Sequence, residues 1–213
     1  MAGHTVIVGY GTKGRSVIKT LGECGVPAGS IVVVDATAAA VAEANAAGLI
    51  GISGDATRRR VLDQAEIASA AQVIIALDTA VLVTLTARQL SPTATIVAAV
   101  REDENRELLR QSGADHVVVS SDAAGQMLAM TTARPAAGMV ISDLLDRGRG
   151  LDLIERPAAE SELGAPVRDA AGTVIAVVRG NEVLASDDPR ATPLARGDRL
   201  ILVSSPQPPA SPH

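Results

Sequence analysis

The sequence predicts an α/β protein in which a doubly wound parallel sheet of six strands precedes a small α+β lobe. Three observations lead there. Short Val-, Ile- and Ala-rich runs alternate with helical patterns through residue 133. The turn Gly9-Tyr10-Gly11-Thr12-Lys13-Gly14 follows directly on the apolar run Val6-Ile7-Val8. Beyond Gly150 the signals change to strands, with Gly180-Asn181 reading as a hairpin turn between Val178 and Val183.

The elements follow in order. His4 to Val8 reads as a buried strand, and Lys13 to Leu21 as a helix with Val17, Ile18 and Leu21 on one face. Ile31 to Val34 is the second strand, closed by Asp35, and Leu49 to Ser53 is the third. A short helix near Arg58 to Ala65 leads to a fourth strand at Gln72 to Leu77. A helix from Thr79 to Leu90 precedes the fifth strand, Thr95 to Val100. Glu104 to Gln111 is helical and stops at Gly113. His116 to Val119 is the sixth strand, and Ser120, Ser121 and Asp122 offer N-caps for a helix to Ala133. Six strands joined by helices, with right-handed crossovers, make a Rossmann-like sheet.

Arg134-Pro135-Ala136-Ala137-Gly138 then breaks the chain, and an amphipathic helix runs from Met139 to Arg147. Leu151 to Glu155, Thr173 to Arg179 and Leu200 to Val203 are the clearest later strands. The expected division is a Rossmann-like domain at 1–133, a linking segment with its helix at 134–147, a small lobe at 148–205, and a Pro-rich disordered tail at 206–213.

A strand feeding a tight turn into a helix aims backbone N–H groups at the space above the turn, with the positive end of the helix dipole behind them. That arrangement suits a phosphate. Gly9 lets the chain turn, Gly11 lets the backbone approach a pyrophosphate, and Gly14 lets helix and strand pack closely. Asp35 lies 24 residues after Gly11, at the carboxyl end of the second strand. A carboxylate there accepts from ribose hydroxyls and repels a 2′-phosphate, which favours NAD or a plain adenine nucleotide over NADP. Gly54-Asp55-Ala56-Thr57 closes the third strand at the same edge. Its plainer reading is a turn with an Asp or Thr cap for the next helix.

Composition narrows the function. The chain has 213 residues, 47% of them hydrophobic, with no Phe or Trp and one Tyr, so its core rests on Val, Ile, Leu and Ala. The net charge is −5 and no basic stripe with interleaved aromatics occurs, which argues against nucleic acid. Arg58-Arg59-Arg60 reads as a solvated helix face. The lone Cys24 suggests a reducing cytoplasm and reads as a packed thiol. No apolar run has membrane-spanning length, and the N-terminal residues lack the basic segment and apolar core expected of a signal peptide. Chemistry is scarce. His4 and His116 begin strands, His213 is terminal, and Lys13 and Lys19 are the only lysines. No catalytic Tyr–Lys or His–Asp arrangement and no metal-ligand cluster is visible. The chain reads as a binding protein rather than an enzyme, with an NAD-dependent oxidoreductase as the competing class.

Residues 4–133 resemble the N-terminal lobe of RCK domains (regulators of potassium conductance, or TrkA-N), and residues 148–205 resemble the TrkA-C lobe. The likeness rests on Val6 to Gly14, Val32-Val33-Val34-Asp35, Gly54 to Thr57, Val97-Ala98-Ala99-Val100-Arg101, Glu104 to Leu109 and Gln111 to Val118. It implies a cytoplasmic, ligand-sensing gating domain of a potassium channel at the inner face of the plasma membrane. A regulatory subunit of a Trk- or Ktr-type transporter is the alternative, so the membrane-embedded pore partner stands in cis or in trans. It further implies a homodimer, or a tetrameric or octameric ring. Ser121 to Ala133 would be the crossover helix, Met139 to Arg147 its swapped partner, and Pro135 to Gly138 a hinge.

By position, the resemblance assigns the phosphates to the turn Gly9, Tyr10, Gly11, Thr12, Lys13 and Gly14, and the ribose to Asp35 beside Ala36. Gly54, Asp55, Ala56 and Thr57 fall near the adenine, and Ala76 and Leu77 border the pocket. Arg101 reaches the phosphates, or else forms a surface ion pair with Glu102 or Glu104. The implied ligand is NAD, NADH, ADP, ATP or AMP. No metal is implied, because the positions matching a carboxylate calcium site in relatives are Ala76, Ala99 and Arg101. The loop Leu77-Asp78-Thr79 is shorter than in close relatives and borders the pocket.

Overall fold

The computed structural model describes residues 3–77, 80–146 and 150–204. The chain divides into two compact units, residues 1–129 and 130–213. The first holds β1 (Thr5–Val8), α1 (Thr12–Glu23), β2 (Ile31–Asp35), α2 (Ala38–Ala46), β3 (Ile50–Ser53) and α3 (Arg59–Gln64). It continues with β4 (Gln72–Ile75), α4 (Ala80–Leu90), β5 (Thr95–Val100), α5 (Arg106–Gln111), β6 (His116–Val119) and the start of α6 (Ser120–Ala133). The six strands are parallel in the order β3-β2-β1-β4-β5-β6, the predicted doubly wound, Rossmann-like sheet.

The strands are continuous apolar runs because helices cover both faces of the central ones. Alternate residues face opposite ways. Val6, Val8, Val32, Val34, Val73 and Ile75 share a core with Val61, Leu62, Val83, Ala87 and Leu109 from α3, α4 and α5. Ile7, Ile31 and Val33 face Val17, Ile18 and Leu21 of α1 and Ala40 and Ala44 of α2.

Three local expectations are corrected. Ser120 and Ser121 do not cap α6. Their hydroxyls donate backwards, to the carbonyls of Val100 and Arg101, and the helix begins at Ser120 with no loop after β6. The break before the next helix is one residue, Arg134; Pro135 is the first residue of α7 (Pro135–Leu145), where its fixed φ suits a helix start. Cys24 is exposed rather than packed, because it caps α1 instead of continuing its apolar face. Arg147, the Asp78-Thr79 part of the fourth-strand loop and the tail at 206–213 lie outside the described residues.

The second unit contains α7, β7 (Asp152–Pro157), β8 (Thr173–Arg179), β9 (Glu182–Ala185) and β10 (Arg199–Ser204). The four strands form an antiparallel sheet in the order β7-β10-β8-β9. Gly180 turns the β8–β9 hairpin with a φ of 62°, as the Gly-Asn pair predicted. The core is small, built on Val167, Val177, Leu184, Leu194, Leu200 and Leu202.

Two arginine–carboxylate clusters reinforce it. Arg156 grips Glu162 with two bonds of 2.7 Å, while Glu162 also accepts the N–H groups of Ala159 and Ala171. Arg179 grips Asp198 at 2.9 and 2.6 Å and donates to the carbonyls of Arg190 and Pro193. Asp198 is only 2% exposed. The Arg156 guanidinium, followed by the two amides, holds the Glu162 carboxyl at about 2, against an ordinary 4.5. A carboxyl depressed in the folded state stabilises fully above its unfolded value and loses that contribution as pH falls. The lobe is therefore expected to lose on the order of 3 kcal/mol between pH ~4.5 and ~2. Urea unfolding across that range tests this, and Glu162→Gln is expected to flatten the dependence while lowering stability at neutral pH.

Candidate nucleotide-binding site

The sheet order reverses on either side of β1, since β2 and β4 both flank it. Such a switch point opens a crevice beyond the carboxyl ends of the strands. The fold brings every predicted site residue to that edge. Gly9 to Gly14 follow β1, Asp35 and Ala36 end β2, Gly54 to Thr57 follow β3, Ala76 and Leu77 follow β4, and Arg101 follows β5.

The three glycines of the turn do different work. Gly9 has a φ of +101°, and a Cβ there would lie 2.8 Å from Leu77 Cδ2 and 3.3 Å from the Ala76 carbonyl. A Cβ on Gly14 would stand 1.9 Å from the Gly9 carbonyl oxygen. The protein's own packing therefore requires both. Gly11 differs: its φ is −76° and a Cβ there would meet no atom of the described residues within 4 Å. Neither its backbone nor its described neighbours require glycine at position 11, and no described residue fills the space above it. Gly11 is also the N-cap of α1, which has no side-chain cap bond and no acidic residue in its first turn. The positive end of the helix thus faces that space, as an anion site needs. Thr12 is exposed and Lys13 half-buried in the same first turn.

Asp35 holds the turn in place. Its Oδ2 accepts the Tyr10 N–H at 2.8 Å and its Oδ1 accepts the Thr37 N–H at 2.8 Å. Burial is the largest single influence and pushes the carboxyl up, but the bonds from Tyr10 and Thr37 together leave it below its ordinary value. The group is a carboxylate at neutral pH, which can still accept from a ligand hydroxyl. Tyr10 is buried, with the Arg15 guanidinium 5.6 Å from its ring centroid. Arg15 also donates to the Tyr10 carbonyl and pairs with Glu43 at 3.4 Å. Sequence reasoning passed over Arg15; its position one helical turn after Gly11 was the available signal.

Gly54 donates its N–H to the Asp35 carbonyl at 2.9 Å, tying the third loop to the second. Asp55 Oδ1 accepts both the N–H and the hydroxyl of Thr57, at 2.9 and 2.7 Å. Those bonds from Thr57 depress the Asp55 carboxyl. The cap reading fails here: α3 starts at Arg59 behind Arg58, with no side-chain cap bond. Ala56 contributes only backbone to the rim, because its methyl is part of the core. Ala36 is exposed beside Asp35, and the Ala76 N–H is bound to the Val8 carbonyl. Arg101 is exposed and makes no ion pair with Glu102, Glu104 or any other described residue. The described residues hold no group of three His, Cys, Asp or Glu able to bind a metal.

A Rossmann-like sheet with a glycine turn at its switch point and a carboxylate after its second strand defines a nucleotide-binding class of domain. The chain belongs to the TrkA-N domain family, whose model matches residues 5–120, more than half its length. It is 27% identical over 198 residues to Potassium channel protein 1 of Methanocaldococcus jannaschii, a match spanning 87% of this chain and 59% of that protein. The structure of GsuK bound to ADP is 26% identical and aligns with a TM-score of 0.56 over 70% of this chain and 42% of its own. The GsuK channel bound to NAD is 24% identical, with a TM-score of 0.55 over 95% of this chain and 36% of its own. The human SLO3 gating ring is 12% identical, with a TM-score of 0.67 over 94% of this chain and 44% of its own. The last two show likeness of fold alone. The chain thus carries a TrkA-N domain over residues 5–120 and is related in sequence to part of a potassium channel protein, and it spans three fifths or less of these relatives. No helix among the described residues is long and apolar enough to cross a membrane.

Proposed function

We propose that this chain is a nucleotide-sensing regulatory domain that governs a potassium-conducting pore. The observation that carries the reading is Gly11, a glycine that no contact among the described residues explains, set at the uncapped start of α1. The ligand is NAD, NADH or an adenine nucleotide without a 2′-phosphate. The turn Gly9 to Gly14 would hold its phosphates with Arg101, Asp35 its ribose hydroxyls, and the Gly54 to Thr57 loop its base. The relatives named as potassium channels, and GsuK with ADP or NAD, support that choice.

Residues 1–133 carry the ligand, 134–147 cross over, and 148–205 form the TrkA-C lobe. Two copies pair, or several assemble into a ring, through the crossover segment. Support comes from α6, which buries no side chain, and from the exposed Leu128, Met139 and Leu145. A nucleotide acts by favouring one arrangement of the paired copies, which needs only a difference in affinity between two shapes.

Titration calorimetry with NAD, NADH, ADP, ATP and AMP tests the binding half. At least one is expected to bind, and Gly11→Val is expected to weaken it by about a hundredfold, the cost of filling space that a phosphate needs (about 3 kcal/mol). Asp35→Ala is expected to cost about tenfold, by removing charge-assisted bonds to the ribose. No binding of any of the five at millimolar concentration overturns the reading.

A further inference from the structure

One element joins the site rim to the segment that leaves the first unit. β5 ends at Val100, and Arg101 follows on the rim. Their two carbonyls are not left to solvent. The Ser120 hydroxyl donates to the Val100 carbonyl at 3.0 Å, and both the hydroxyl and the N–H of Ser121 donate to the Arg101 carbonyl, at 2.5 and 3.3 Å. Asp122 adds a contact of 3.4 Å to Arg106, the first residue of α5, and Arg106 also binds Asp103. Three consecutive residues of α6 are thus fastened to the end of β5 and the start of α5.

α6 follows β6 without a loop and, within one copy, has no buried residue along its 14 positions. Most helices gain their stability from a buried face; within one copy, the hydrogen-bonded first turn is what ties α6 to the end of β5 and the start of α5. A carbonyl is a short, rigid extension of its own residue. When the Arg101 backbone moves, the first turn of α6 moves with it.

We infer that Ser120 and Ser121 are positioning residues that form a hydrogen-bonded joint, passing displacement of Arg101 at the nucleotide site into α6. The inference rests on the proposed function for its trigger, not for the joint itself. The joint explains why two hydroxyl residues stand where a helix would otherwise be capped by accepting side chains: a carbonyl can be gripped only by a donor.

Hydrogen exchange on the intact chain, with and without ADP or NAD, tests both parts. Without nucleotide, the S120A/S121A double variant is expected to exchange the amides of residues 123–128 about tenfold faster than wild type, the value of one or two lost hydrogen bonds. The β1 and β5 amides should be unchanged. Ser121→Thr, which keeps the hydroxyl, is expected to restore most of the protection. With nucleotide, wild type should change its α6 exchange, and the double variant should lose that change while its Kd stays within about twofold. Equal α6 exchange in wild type and double variant without nucleotide overturns the joint. A nucleotide effect on α6 that survives in the double variant overturns its transmitting role. Failure of wild type to bind any nucleotide would instead sink the sensing function, and the ligand-free comparison still decides the joint.

Discussion

Gly14→Ala is expected to destabilise the first unit by about 3 kcal/mol or more and to lower its melting temperature by roughly 10 °C. The added methyl would stand 1.9 Å from the Gly9 carbonyl oxygen and 3.0 Å from its carbon. Both are backbone atoms of the turn, so no side chain can swing aside. Relief requires α1 to lift from the sheet, which opens the contact of Val17, Ile18 and Leu21 with Ile7, Ile31 and Val33. Gly11→Ala is the matched control. It adds the same methyl three residues earlier, into open space, and is expected to shift the melting temperature by no more than about 2 °C. Scanning calorimetry on the two variants separates a glycine the fold needs from one it does not. Equal melting of both would mean that the close approach of α1 to the turn is wrong.

Arg179→Ala is expected to have a comparable effect on the second unit, about 3–5 kcal/mol. The substitution strands Asp198, a carboxylate that is 2% exposed, with one remaining bond from the Ala195 N–H at 2.8 Å. It also frees the carbonyls of Arg190 and Pro193, which close the loop before β10. Arg179 is the chief influence depressing the Asp198 carboxyl, and burial opposes it. Without the arginine, burial outweighs the remaining Ala195 bond and pushes the carboxyl up. A lobe with so few large buried side chains has little reserve. Amides of β8 and β10 should become the fastest-exchanging strands in the variant, while those of β1 and β2 stay as they were. The double variant Arg179→Met with Asp198→Leu is expected to recover much of the loss, since an apolar pair of similar bulk carries no desolvation penalty.

The first unit was legible because each central strand is buried on both faces and so reads as an unbroken apolar run, as Ile31 to Val34 does. The turn glycines and Asp35 were legible because their spacing is fixed by local geometry. Interactions set by the reach of a side chain were not. A serine hydroxyl donates as readily as it accepts, so nothing local distinguishes a cap at Ser120 from a bond back to Val100. Pro135 reads as a breaker by its chemistry, yet the same ring is suited to the first helical position. Arg179 and Asp198 lie nineteen residues apart and Arg156 and Glu162 six, on no helical or strand repeat that would flag them. Ala56 shows the limit within the motif itself: the sequence placed it in the third loop, but only folding reveals that its methyl turns inward.

The scarcity of aromatic residues gives Tyr10 an unusual role. It is the one tyrosine in a chain without tryptophan or phenylalanine. Its amide is bound to Asp35, and its ring is buried in the core shared with α1 and α2, with the Arg15 guanidinium 5.6 Å from its centroid. The molecule is therefore optically blank except at a single ring built into the turn. Tyrosine emission and near-ultraviolet dichroism both originate there and nowhere else, so the protein carries its own reporter of events at this one spot, with no label required. The same fact makes the second unit invisible to those methods, and a melt followed at that ring records the first unit alone.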